Sequence, residues 1–303
     1  MKKIILIGLI VFSSIGTYAQ TPMWQGKGRI AISSDGNEHD HDDWAATPLT
    51  LAMLAAKGLQ NKVVLYTYSD HIWWSNLRHP SSPEGMNAYE HMRESALGAK
   101  KRFGFNKSKF ICAVDNPEKA YKKMAKAINA SSIDDPLYII AAGPMQVVGE
   151  AINRANPEKR QYVTVLSHSY WNNRHSDKIN KGEPEHSGWT FKEMIAEFGN
   201  KKGGNVKFVK ILDQNEGKDY LGLNCPKKHY DWMKTFEANN KELYKEGALD
   251  WLYSRLITCT KNKGLHYDPS DAGMAIYFLT GVEKTNPNMI KEILENPVSK
   301  IKN

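Results

Sequence analysis

The feature that most constrains this chain is an alternation. From residue 30 onward, short runs rich in Val, Ile, Tyr and Thr take turns with longer runs of helical character. Strands are expected at Ile30–Ser33, Val63–Tyr68, Phe110–Val114, Leu137–Ala142, Tyr162–Leu166 and Val206–Ile211. Helices are expected at Thr47–Leu59, Ala88–Arg102, Pro117–Ala130 and Met145–Ala155, the first with Thr47 as its cap and Pro48 at its first position. Such alternation builds βαβ units, whose parallel strands need cover on both faces. The expected class is therefore α/β: a single domain with a mostly parallel central sheet flanked by helices. The 303 residues are ample for one large core, and no break in composition marks a second domain.

The first residues read differently. Lys2 and Lys3 form a basic start, Ile4 to Phe12 an apolar run, and Thr17-Tyr18-Ala19 a small-residue cleavage pattern. This is the pattern of a secretory signal peptide over residues 1–19, with residues 20–303 as the mature domain. The apolar run is shorter than the roughly 20 residues that span a bilayer. No Cys follows the cleavage pattern and no later segment is membrane-like, so the expectation is a secreted or periplasmic protein with no membrane contact after cleavage. The formal charge of +8 falls to +6 once Lys2 and Lys3 are removed. The excess is spread along the chain, without the aromatic interleaving or finger spacing of a nucleic-acid binder, so no nucleic-acid partner is expected. Cys112, Cys225 and Cys259 allow at most one internal disulfide, and at least two are expected as buried thiols.

One stretch carries unusual chemistry. Residues 33–44 read SSDGNEHDHDDW, with five acidic groups and two histidines between a strand and a helix. Like charges this close raise each other's pKa or require a cation. Asp35, Asn37, Glu38, Asp40, Asp42 and Asp43 all offer oxygen, the donor that hard divalent ions take. The spacing is not that of an EF-hand, which needs Gly at its sixth position and Glu at its twelfth; Ala46 stands at the latter. His39 and His41 raise zinc as an alternative. A solvated acidic loop at a helix N-terminus is the plain reading.

A strand ending in Asp35, a loop, and Asp42-Asp43 leading into an apolar helix together resemble the nucleoside hydrolase superfamily, which carries DxDPGxDD at the end of its first strand. Two further stretches agree in order. LYIIAAGPMQVVGE, Leu137 to Glu150, resembles the family's strand, Gly-Pro and helix. YDPSDAGMAIYFL resembles its His-Asp-Pro segment opening a helix. The resemblance covers most of residues 29–280. It implies a bound Ca²⁺ held by Asp35, Asp43, Asp271 and the Ala142 carbonyl, with Asp42 as general base. The departures are specific. Ser33 stands where the family has its first Asp, GNEHDH replaces Pro-Gly, Ser270 replaces the His before the last Asp, and His71 replaces an Asn. Of the family's Glu-Phe-Asn, only Glu185 matches. The metal ligands carry over better than the sugar-binding residues.

The implied activity is hydrolysis of a glycosidic bond in a small sugar or nucleoside, with water oriented by the ion and deprotonated by Asp42. His71, His168 and His186 are candidate donors to the leaving group. Asn37, Asp70, Trp73, Glu185 and His186 are candidate substrate contacts. Trp44, Trp74, Tyr170, Trp171 and Trp189 also fall near expected strand ends, where aromatic faces stack on sugars. The resemblance also allows a homo-oligomer. Two other classes compete: a metal-assisted hydrolase of another ester, and a catalytically silent carbohydrate-binding protein on the same fold.

Overall fold

Six strands run parallel in one sheet, in a computed structural model that describes residues 21–36, 41–72, 87–174, 188–200 and 205–301. They are β1 (Arg29–Ser34), β2 (Val63–Tyr68), β3 (Lys109–Cys112), β4 (Leu137–Ala142), β5 (Val163–Ser167) and β6 (Lys207–Lys210). Their spatial order is β3-β2-β1-β4-β5-β6. The central strands read as nearly unbroken apolar runs because both faces are covered: Ile30, Ala31, Ile32, Leu137, Ile139 and Ile140 are all fully buried.

Between the strands lie α1 (Asp43–Ala56), α2 (Ala88–Arg102), α3 (Pro117–Asn129), α4 (Gln146–Arg154), α5 (Tyr170–Arg174) and α6 (Phe191–Phe198). The rest of the chain adds a small antiparallel sheet and four helices. These are β7 (Cys225–Pro226), α7 (Phe236–Asn240), α8 (Ala248–Leu256), β8 (Thr260–Lys261), β9 (His266–Tyr267), α9 (Gly273–Thr280) and α10 (Pro287–Glu295). Helix α1 packs with α2, α8, α9 and α10 against one face of the sheet; α3, α4 and α6 cover the other.

The first helix departs from expectation. It begins at Asp43, a full turn before Thr47, so Pro48 lies inside it. An internal proline leaves the carbonyl four residues earlier without its helical donor. That carbonyl belongs to Trp44, and the Ser95 hydroxyl of α2 donates to it at 2.6 Å. Thr47 is not a cap; its hydroxyl accepts from Tyr66 Oη at 2.8 Å inside the core. The longer helix places Asp42 at its N-cap and Asp43 in its first turn, where the helix dipole favours negative charge.

Strand order reverses between β1 and β4, whose crossovers leave on opposite faces. In such sheets the crevice forms at that point, beyond the carboxyl ends of the strands. All three cysteines are buried free thiols. Among the described residues, no helix is long and apolar enough to cross a membrane. The expected signal peptide, residues 1–19, lies outside them.

Candidate functional site

The crevice is built from strand ends. After β1 the chain continues through Asp35 to Gly36, whose φ of +90° is one that glycine adopts without strain. The Gly36 N–H donates to Asp35 Oδ1 at 2.7 Å, and the Gly36 carbonyl accepts from Trp44 Nε1 at 2.8 Å. Trp44 is therefore a buried anchor of the acidic loop, stacked between His41 and His91, and not a sugar platform. Ser69, after β2, and Ser169, after β5, both hold left-handed conformations, with φ of 53° and 62°. Non-glycine residues reach this region only at some cost, and such strain concentrates at sites the surrounding structure over-determines. The turn at Ser169 lets its hydroxyl accept the Asn172 N–H at 3.2 Å.

Asp42, Asp43 and Asp271 converge: each offers a carboxylate oxygen within 4.8 Å of the others. Asp43 and Asp271 are buried, Asp42 half-buried. Beside them opens a pocket of about 270 Å³. It is lined by Asp35, Asp42, His168, Ser169, Trp171, Asn172, Asn215, Lys261, Asp268, Ser270 and Asp271. Burial pushes the Asp42 carboxyl up to about 7, with Asp268 and Asp271 adding to the effect and Lys261 opposing it.

Asp271 is held from one side. His168 Nε2 and Asn172 Nδ2 both bond its Oδ1, the latter at 3.0 Å. The Gln214 N–H donates to His168 Nδ1 at 3.2 Å, which assigns the ring proton to Nε2, facing Asp271. Burial alone would lower this imidazole's pKa. Asp271, with Asp213 beyond, outweighs it and pushes the pKa up to about 9. A second proton on Nδ1 would have to displace the Gln214 N–H and turn to Asp213, 3.7 Å away. With both nitrogens engaged, His168 positions Asp271 and is not placed to reach a substrate.

The remaining sequence candidates divide. Asp35 lines the pocket. The Ala142 carbonyl accepts the Asp35 N–H at 3.1 Å, extending the β1–β4 ladder by one residue and leaving one lone pair. Asp70 lies outside the pocket, fully buried, and Ser33 donates to its Oδ2 at 2.6 Å. Burial raises the Asp70 carboxyl well above the ordinary range, with the Ser33 bond opposing. Asp70 thus meets Ser33, the position where the resembled pattern has Asp. His71 is buried edge-on to Trp171 and is not part of the pocket wall. Trp189 packs over Gly149, with its Nε1 donating to Glu150 at 3.0 Å, away from this pocket. Asn37, Trp73, Glu185 and His186 lie outside the described residues, as do Glu38, His39, Asp40 and Trp74.

Lys261, Asp268 and Asn215 were not singled out from sequence. Lys261 closes β8 and Asp268 directly follows β9, in the small sheet where β9 pairs with β7 and β8. Lys261 Nζ stands 3.9 Å from Asp268 Oδ2. Burial raises the Asp268 carboxyl, with Lys261 opposing. The clue was present in the Asp-Pro-Ser-Asp run, which sets two carboxylates three residues apart at the start of a helix.

No protein-family model matches the chain. It is 31% identical over 294 residues to a protein of Formosa agariphila described as "Uncharacterized protein P22", an alignment that spans 94% of this chain and 97% of that one. At that identity over nearly the whole of both chains, this protein belongs to the family of protein P22.

Proposed function

We propose that the chain is a metal-dependent hydrolase of glycosidic bonds, nucleoside hydrolase-like, acting on an N-ribosyl or related sugar substrate. One observation carries this reading: the carboxylates of Asp42, Asp43 and Asp271 gathered at the carboxyl edge of a parallel sheet, beside a polar pocket. The donor set fits a hard cation. It is all oxygen, and a spread within 4.8 Å suits the roughly 5 Å that opposite ligands span across Ca²⁺ at 2.3–2.6 Å each. Asp43 and Asp271 would hold the ion, with Asp35 close by.

When bound, the ion supplies a water of lowered pKa and a template for sugar hydroxyls. Asp42, at the pocket wall, takes the proton of that water. His168 and Asn172 fix the carboxylate of Asp271 by its Oδ1, which keeps its second oxygen aimed by the same two bonds. Trp171 and Asn215 form wall against which the rest of the substrate would lie. A signal peptide at residues 1–19 would carry the proposed enzyme out of the cytoplasm.

The test uses the mature chain, residues 20–303. Calcium titration calorimetry is paired with sugar release from nucleosides and oligosaccharides, with and without EDTA. One tightly bound Ca²⁺ and EDTA-sensitive release are expected. Absence of any bound divalent ion would refute the metal reading. Calcium binding with sugar binding but no turnover would move the chain to the carbohydrate-binding class.

A further inference from the structure

We propose that Lys261 is the group that donates to the departing atom as the glycosidic bond breaks. This inference rests on the glycosidase reading above. A leaving group more basic than water can stabilise needs a proton or a strong hydrogen bond in the transition state. The histidines are the obvious donors from sequence; His186 lies outside the described residues, and the structure does not offer the other two. Both ring nitrogens of His168 are engaged, by Asp271 and by the Gln214 N–H. His71 is 1% exposed and outside the pocket wall. Among the described residues that line the pocket, Lys261 is the only lysine or arginine.

Its place there is built. Lys261 closes β8, opposite His266 of β9. The turn between them runs through Lys263 at φ 52° and Gly264 at φ 86°. Asp268 directly follows β9 and its N–H still reaches the Cys259 carbonyl at 3.1 Å, so the alternation of faces carries it to the side that Lys261 and His266 share. The charged ends of Lys261 and Asp268 approach to 3.9 Å. Asn215, on the same pocket wall, is held by Asp213 Oδ1, which accepts both its N–H at 3.1 Å and its side-chain amide at 2.9 Å. The ammonium, an oriented amide and the Asp42 carboxylate therefore face one cavity.

The step balances. The bond from the anomeric carbon to the leaving atom breaks, and its electron pair goes to that atom. A bond from the same carbon to the water oxygen forms. One water proton passes to Asp42, and one ammonium proton passes from Lys261 to the leaving atom. The two groups regain their starting states by exchange with solvent. The charge count also selects the substrate. Counted as ionised, the five carboxylates of Asp35, Asp42, Asp43, Asp268 and Asp271 outnumber by one charge the Lys261 ammonium, the His168 imidazolium and a divalent ion together. Phosphorylated or otherwise anionic sugars are disfavoured; the class that fits is an uncharged glycoside with a poor leaving group.

The test compares wild type, Lys261→Met and Lys261→Arg on uridine and on p-nitrophenyl β-D-ribofuranoside, whose nitrophenolate departs without a proton. Calcium affinity of each protein is measured alongside. Lys261→Met is expected to lower kcat/KM on uridine by about 10²–10⁴-fold, the usual worth of general acid catalysis, and on the nitrophenyl substrate by less than about tenfold. Lys261→Arg keeps the charge and a donor, and is expected to fall between. Calcium affinity should be retained in both variants, which separates this role from that of a ligand or of fold support. Equal losses on the two substrates, with calcium bound and wild type active, would overturn the inference and leave the glycosidase reading standing. A wild type that binds calcium and releases sugar from neither substrate would overturn the inference for these glycosides, and the wider sugar-release screen then decides the reading itself.

Discussion

Gly143→Ala is the sharpest probe of how the site is supported. A Cβ at this position would lie 2.5 Å from Asp70 Oδ1 and 2.9 Å from the Asp35 backbone nitrogen. Neither can yield cheaply. The Asp35 N–H is committed to the Ala142 carbonyl at 3.1 Å, and Asp70 is fully buried with its other oxygen on Ser33. The φ of Gly143 is not positive, so the penalty is steric and carries no left-handed strain. Overpacking of this kind costs about 1–3 kcal/mol. In a chain of this size each kcal/mol lowers Tm by about 2–4 °C, so a drop of about 2–12 °C is expected. The functional loss should be larger than the stability loss, because relief comes by pushing Asp35 away from β4. A displacement near 1 Å at a reacting site can cost about 10²-fold in rate. The assays are thermal melting, calcium titration and sugar release. Gly26→Ala serves as control, since its Cβ would meet nothing within 4 Å and only its φ of +79° is strained. A Gly143→Ala protein that melts with wild type and binds calcium equally would refute the claim that this glycine sets the spacing of β1 and β2 ends.

Three further outcomes are expected. In EDTA the protein should lose stability as pH rises from about 4 to about 7, because the folded state holds the Asp42 proton to about 7 while the unfolded chain releases it near 3.8. At about 1.4 kcal/mol per unit the ceiling is about 4 kcal/mol, reduced to about 2 because Asp42 keeps part of its surface in water; Asp42→Asn should flatten the slope, and an unchanged slope by melting at pH 5 and 8 would refute it. Ser33→Ala removes the hydrogen bond to buried Asp70 and should cost about 1–3 kcal/mol in urea unfolding, a loss that a neutral result would deny. His168→Ala should weaken calcium binding about 10–100-fold by releasing Asp271, and Asn172→Ala less so; calorimetry showing unaltered affinity in both would remove the positioning role.

The sheet was legible because its signals are local. Runs such as Leu137–Ala142 are buried on both faces and bounded by turn residues, so their ends fell within a residue or two. The first helix starts before its expected cap because Pro48 is a local signal overruled by a distant one, the Ser95 hydroxyl that serves the Trp44 carbonyl. The resemblance names Asp35, Asp42, Asp43 and Asp271 together; the fold sets the carboxylates of the last three within 4.8 Å, while Asp35 lines the pocket outside that trio. Lys261 could not be foreseen, since its approach to Asp268 depends on two-residue strands that carry no periodicity. The roles of the histidines were also beyond reach of sequence: His168 lines the pocket while facing away from it chemically, and only its two ring contacts reveal that.

The small sheet also has a consequence for when the site can exist. Asp42 and Asp43 come early in the chain; Lys261, Asp268 and Asp271 come near its end. Until the late strands pair, the early carboxylates have no partner from that side, and no nascent or partly folded chain can assemble the complete pocket. Bringing such remote segments together costs loop-closure entropy that only the finished fold repays. An ion that binds the finished site and not its fragments acts as a latch on the last step of folding. A chain exported unfolded would then close that latch only on arrival, in the compartment that supplies the ion.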